Sequence, residues 1–198
     1  MAPEERRAAL IAATIPLLRE HGPDVSTRQI AQAAGVAEGT IFGVFSDKNT
    51  LLTTALAEAL DPRTTLDAIA AIDERLDLRS RLTAAADLIN QRFTGNVQLI
   101  AAARKLTLAH DTDPDVRRRM AESRDALLAA LTALIEPDAG RLRRSPAATA
   151  GLLLVFCASS THGPFGDSER LDAAELVSLL LDGLLIRNDD YHGGAVRC

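Results

Sequence analysis

Between Gly22 and Leu51 the chain reads GPDVSTRQIAQAAGVAEGTIFGVFSDKNTL, the stretch that most narrows what it can fold into. Ser26 is a good N-cap, because its hydroxyl can bond a backbone N–H of the following turn. Ile30, Ala33 and Ala34 form an apolar stripe at helical spacing, and Gly35 closes that helix with a backbone conformation of positive φ that costs glycine little. Ala37 to Val44 is expected to form a second short helix. Ser46 and Asp47 offer N-caps for a third, whose face of Leu51, Leu52, Ala55, Leu56 and Ala59 runs until Asp61-Pro62 stops it.

On either side the periodicity is also helical. Residues 1–22 carry Leu10, Thr14, Leu17, Leu18 and His21 on one side, with Gly22 placed to end the helix and Pro16 expected to kink it. Longer helices are expected at roughly 64–75, 78–93, 96–110, 114–136, 146–161 and 171–187, separated by breaks such as Asp113-Pro114, Pro137 to Gly140 and Gly163-Pro164. The chain has 198 residues, of which only 3% are aromatic, and strands draw on aromatic and β-branched side chains. The fold class implied is all-α. Two cysteines cannot make a disulfide framework, which points to a reducing, cytoplasmic setting. The uncharged run Ser145 to Gly166 contains two prolines and several hydroxyls, and reads as a helix buried in protein rather than a membrane span.

Enzyme signals do not accumulate. The sequence has no phosphate-cradling glycine loop, no zinc-protease His pair and no Gly-x-Ser-x-Gly elbow, and its four histidines are never at metal-ligand spacing. No catalytic residue, metal or cofactor is therefore expected. The net charge of −5, from 22 basic and 27 acidic residues, argues against non-specific coating of nucleic acid but not against a small local reader. Arg117, Arg118, Arg119 and Arg124 follow acidic residues and read as a solvated face.

Two short helices joined at Ala34-Gly35-Val36, with apolar stripes that force them together, make a helix-turn-helix whose second member can enter a major groove N-terminus first. Small residues at its tip let backbone approach DNA, the Thr40 hydroxyl can donate to a phosphate, and Lys48 can reach a second one. The candidate DNA-contacting set is Ser26, Thr27, Arg28, Ala37, Glu38, Gly39, Thr40, Phe42, Gly43 and Lys48. Residues 1–50 hold five basic side chains (Arg6, Arg7, Arg19, Arg28, Lys48) against six acidic ones, so electrostatic attraction to DNA should be weak for such a module.

Through Gly22, Ser26, Ile30, Ala31, Ala34-Gly35-Val36, Gly39-Thr40-Ile41, Phe45, Lys48 and Leu51, the chain resembles the DNA-binding domain of TetR-family (tetracycline-repressor-like) transcriptional regulators. A Tyr commonly follows Gly-Thr-(Ile/Leu) in that family; here Phe42 lacks the hydroxyl, and Val44 stands where His or Tyr is common. The resemblance implies a helix-turn-helix domain over 1–60 and a helical ligand-binding and dimerisation domain over 61–198. It also implies a homodimeric repressor that binds a palindromic double-stranded operator and responds to a small-molecule effector. The last two long helices would pair with those of a second subunit, through Leu152, Leu153, Phe156, Leu179, Leu180, Gly183 and Leu184. An effector pocket would draw on Phe93, Leu99, Ala103, Arg104, Leu106, His110, Leu127 and Phe156. On the residues alone two other classes stay open: a helical ligand-binding module or small enzyme with a degenerate DNA-binding domain, and a helical scaffold that pairs through its C-terminal helices.

Overall fold

Helical spacing and well-placed stop signals give ten α-helices in the described residues of this computed structural model, which are 3–108, 114–162 and 171–184. They are α1 (Pro3–His21), α2 (Thr27–Ala34), α3 (Gly39–Phe42), α4 (Lys48–Ala59), α5 (Arg63–Ala70), α6 (Leu78–Gly95), α7 (Val97–Leu108), α8 (Pro114–Ile135), α9 (Pro146–His162) and α10 (Ala173–Leu184). Short 3-10 turns cover Gly22–Asp24 and Glu136–Arg141. The fold is all-α, with a helix-turn-helix segment followed by a larger helical portion.

Side-chain caps set several boundaries. Asp77 accepts hydrogen bonds from the Ser80 backbone N–H (2.9 Å) and hydroxyl (3.1 Å) and starts α6. Asp172 and Glu175 cap each other's backbone N–H groups at the start of α10. The expected helix over 64–75 ends instead at Ala70. The carboxylate of Asp73 accepts the N–H of Arg75 at 2.9 Å, a local turn that offers the backbone an alternative to helix. Helix α1 runs unbroken through Pro16, which is exposed, so water can serve the Ala12 carbonyl deprived of its donor. No helix among the described residues is long and apolar enough to cross a membrane.

The chain forms two compact units, Met1–Pro62 with Thr94–Asp125, and Arg63–Phe93 with Ala126–Cys198. In the first, α1 packs on α2 and α4, and α7 packs on α1, on α4 and on the Gly22–Asp24 turn. Its core joins Leu10, Leu18, Ile30, Ile41, Leu51, Leu52 and Leu56 with Leu99 and Ala102 of α7. Thr14 lies within this core and satisfies its hydroxyl by donating to the Leu10 carbonyl at 2.7 Å. The second unit has its own core, with Leu82, Ile89, Leu131, Ile135, Leu153, Cys157, Val177 and Leu181 among its members. Burial pushes the Cys157 thiol up to about 12, so it stays protonated.

Candidate nucleic-acid interface

The α2–turn–α3 geometry is locally over-determined. Ser26 Oγ accepts the Gln29 N–H at 3.2 Å, while Gln29 Oε1 accepts the Ser26 N–H at 2.8 Å, a reciprocal capping box. At the other end Gly35 sits at φ 66°, ψ 32°, and the Val36 N–H reaches back to the Ala31 carbonyl at 3.0 Å. A Cβ on Gly35 would meet nothing within 4 Å, so the demand for glycine there is conformational rather than spatial. Ile30 and Ile41 are fully buried in one core and hold the two helices together.

The expected second helix over 37–44 is tighter than an α-helix along most of its length. Only Gly39–Phe42 is α-helical; Thr40 N–H bonds Ala37 O, Ile41 N–H bonds Glu38 O and Val44 N–H bonds Ile41 O, each three residues apart. Gly39 and Gly43 bracket this turn, and glycine in a helix costs about 1 kcal/mol relative to alanine. Its outer face is open: Ala37, Glu38, Gly39, Phe42 and Gly43 are exposed, and Thr40 is half-buried. Phe42 exposes 56% of its surface, unusual for a lone phenylalanine with a solvent-only role.

Three contacts around this turn were not visible in the sequence pattern. Thr27 Oγ1 donates to Glu38 Oε1 at 2.5 Å, tying the start of α2 to the tip of the second helix. The Arg7 guanidinium lies 4.5 Å from the ring centroid of buried Phe45, fixing the start of α1 against the end of the same turn. Lys105 of α7 holds both carboxylate oxygens of Asp24 at 3.1 Å. Each joins residues on different elements, which no single-helix periodicity encodes.

Lys48 opens α4 beside its cap, Asp47, which accepts the Thr50 N–H at 2.7 Å and also the hydroxyls of Thr50 and Ser46. The Thr50 N–H, reinforced by those hydroxyls, holds the Asp47 carboxyl below its ordinary range. With Arg7 stacked and Lys105 ion-paired, Arg28 and Lys48 are cations of this region without a hydrogen-bond or ion-pair partner among the described residues.

The family model for bacterial regulatory proteins of the tetR family matches residues 10–55. Residues 10–55, which hold the helix-turn-helix, are thus of the TetR type. No curated protein matches it at a significant level. Among solved structures it is similar to a regulator assigned to the TetR family from Mesorhizobium loti, with 18% identity, a TM-score of 0.67, and 94% of this chain and 100% of that one covered. A tetR-family regulatory protein from Rhodococcus RHA1 matches with 21% identity and TM-score 0.65 over 89% of this chain and 95% of that one. FadR from Bacillus subtilis, solved with stearoyl-CoA, matches with 15% identity and TM-score 0.61 over 88% and 95%. The TetR-type fold thus extends over nearly the whole chain.

The remaining candidate residues fall as follows. On α9 and α10, Leu152, Phe156, Leu179 and Gly183 are exposed, whereas Leu153 and Leu180 are buried in the core of their own unit. The side chain of Leu184 lies outside the described residues, as does His110. Of the pocket candidates, Leu99, Ala103 and Leu106 belong to the core of the first unit, and Phe93 and Leu127 to that of the second. Arg104 is exposed. Leu99 also lines a cavity of about 140 Å³ with Arg19, Thr94, Asn96 and Gln98. Arg117, Arg118 and Arg119 are exposed, with Arg118 3.6 Å from Glu122 one turn on, as a solvated face requires.

Proposed function

We propose that this protein is a ligand-responsive transcriptional repressor that binds a palindromic operator as a homodimer, with residues 1–60 as the DNA-binding domain and 61–198 for effector binding and dimerisation. The observation that carries this reading is the α2–turn–α3 unit: its inner face is fully buried while its outer face, from Ala37 to Gly43, is open and rich in small residues. Placed in a major groove, that face brings the tip of the second helix to the bases. Ser26, Thr27, Arg28, Thr40 and Lys48 then face phosphates, which fix position without reading sequence. Two such units in a dimer require half-sites about 34–36 Å apart or a multiple of that.

Dimerisation is supported by apolar side chains left in solvent on two mutually packed helices: Leu152, Val155 and Phe156 of α9, and Leu179 of α10, the last 62% exposed. Patches of this kind mark protein interfaces. An effector acts only if it binds the DNA-incompetent arrangement more tightly than the competent one. Helix α7, which shares a core with α1 and α4, is the element of 61–198 best placed to pass such a preference to the DNA-reading helices. Within 61–198, the effector this reading expects is a largely apolar molecule with one or two polar or acidic groups. Stearoyl-CoA, with which the similar B. subtilis FadR was solved, shares only the apolar part of that character, in its acyl tail.

Selection of bound fragments from a genomic DNA library tests the reading. An enriched inverted repeat is expected. A library that emerges unenriched would overturn it and favour a helical ligand-binding module or small enzyme with a degenerate DNA-binding domain.

A further inference from the structure

The tip of the second helix, from Ala37 to Gly43, holds no Arg, Lys, Asn or Gln. Those are the side chains that read guanine and adenine through paired hydrogen bonds in the major groove. The tip presents instead one carboxylate, Glu38, and one aromatic ring, Phe42, both exposed, with the half-buried Thr40 between them. Neither choice is neutral beside DNA. A carboxylate is repelled by the phosphates, and a phenylalanine 56% exposed keeps apolar surface in water.

Glu38 is committed on one side only. Its Oε1 accepts the Thr27 hydroxyl proton at 2.5 Å, and its Oε2 has no partner among the described residues. One free oxygen, held in place, takes one donor. The donors on base edges in the major groove are the N4 amino group of cytosine and the N6 amino group of adenine, whereas guanine and thymine offer acceptors that a carboxylate repels. Adenine sets its N7 acceptor beside its N6 donor, so a carboxylate that takes the amino group also crowds that lone pair. Cytosine has no acceptor on that edge. Phe42 follows Glu38 by four residues, about 6 Å along a helix, or about two base steps. An apolar ring in the groove has one apolar partner there, the C5 methyl of thymine.

We propose, on the DNA-binding reading above, that Glu38 and Phe42 set operator specificity: in each half-site Glu38 reads a cytosine, and Phe42 packs on the methyl of a thymine within about two base pairs of it. Selection works by exclusion as much as by attraction. With guanine or thymine opposite, Glu38 Oε2 loses its water and gains no donor, which leaves a desolvated charge unpaired. Ala37, Gly39 and Gly43, small and exposed, let the backbone come close enough for both side chains to reach base edges.

The test starts from operator fragments enriched by the full-length protein and places each of the four base pairs in turn at every half-site position. Fluorescence anisotropy measures binding of the wild type, Glu38→Gln and Phe42→Ala. Both positions are exposed, so both variants should keep the wild-type helical spectrum. For the wild type, cytosine at one position per half-site should be preferred over every alternative by roughly fivefold or more. Glu38→Gln should move the preference at that position to adenine, which glutamine reads through N6 and N7. Replacing the nearby thymine by deoxyuridine removes only the methyl; it should weaken wild-type binding about fourfold per half-site and leave Phe42→Ala unaffected. A library that yields no enriched fragment would overturn the DNA-binding reading and the base assignment together. Enriched operators whose base preferences are the same for wild type and Glu38→Gln, or whose Glu38-sensitive position prefers a base other than cytosine, would overturn the base assignment alone. A deoxyuridine penalty that is absent, or that persists in Phe42→Ala, would remove Phe42 from the readout.

Discussion

Thr27, the first residue of α2, donates its hydroxyl proton to Glu38 at the tip of the second helix, 2.5 Å away across the intervening turn. Both residues belong to the surface assigned here to DNA. Their bond sets where the Glu38 carboxylate sits before any groove is met, and a pre-oriented acceptor can take the N4 amino group of a cytosine. A double-mutant cycle on operator affinity with Thr27→Val and Glu38→Gln should show a coupling of about 0.5–1.5 kcal/mol per subunit. Additive losses would mean that the two residues meet DNA independently.

Phosphate contacts supply affinity without sequence preference, so Thr40→Ala and Lys48→Ala should weaken binding to all sequences alike. Lys48→Ala should also lower the slope of log affinity against log salt by about 0.9 per subunit. Phe42 is exposed and lacks the hydroxyl common at its position; Phe42→Tyr should tighten binding by about 0.5–1.5 kcal/mol per subunit if that hydroxyl reaches a phosphate. Fluorescence anisotropy across a salt series reads all three. Lysine and tyrosine variants that leave affinity unchanged would place the docking face elsewhere.

The stability of the turn is separable from its contacts. Gly35→Ala adds a methyl that touches nothing, yet forces alanine into the left-handed region, so it should cost about 1–2 kcal/mol in urea unfolding. Asn in its place should cost less, since it tolerates that conformation. A fully neutral Gly35→Ala would show that the turn relaxes to negative φ.

These local features were legible because each is written in consecutive residues. Ser26 ahead of an apolar stripe, Gly35 after it, and Asp47 before Lys48 carry their structural meaning within one or two turns. What escaped was tertiary. Leu152 and Leu153 are adjacent and equally apolar, and only packing shows that the first is exposed and the second buried. Leu179 and Leu180 differ in the same way. The Thr27–Glu38, Arg7–Phe45 and Lys105–Asp24 pairs each join separate elements.

Asp47 makes part of the fold's acid sensitivity. Its carboxyl titrates below the ordinary value of 3.8 in the folded state, chiefly because the ionised form accepts the Thr50 N–H. A depressed folded value means that the stabilisation is fully present above the unfolded value and is lost as pH falls through the folded one. Asp47→Asn still caps α4 but cannot titrate. Urea midpoints measured from about pH 5 downward should therefore fall less steeply for Asp47→Asn than for the wild type. Parallel curves would assign the acid transition to other carboxylates.

The exposed and buried members of the α9–α10 pair make a discriminating test of assembly. Leu179 is 62% exposed, so Leu179→Asp places its charge in water within a lone subunit and should leave the helical spectrum intact. In a dimer built on this face, the same charge would be desolvated without a partner, a penalty of several kcal/mol that should convert dimer to monomer in sedimentation velocity. Leu180 is 4% exposed in the core of its own unit, so Leu180→Asp meets that penalty inside one subunit and should lose its fold rather than its partner. Cys157, fully buried in the same core with its thiol pushed up to about 12, reports which of these occurs. In a Cys198→Ser background it should resist alkylation at neutral pH in the wild type and in Leu179→Asp, and react rapidly in Leu180→Asp. A folded dimer that tolerates Leu179→Asp would remove α9 and α10 from the interface, because no arrangement pairing this face can leave that carboxylate hydrated.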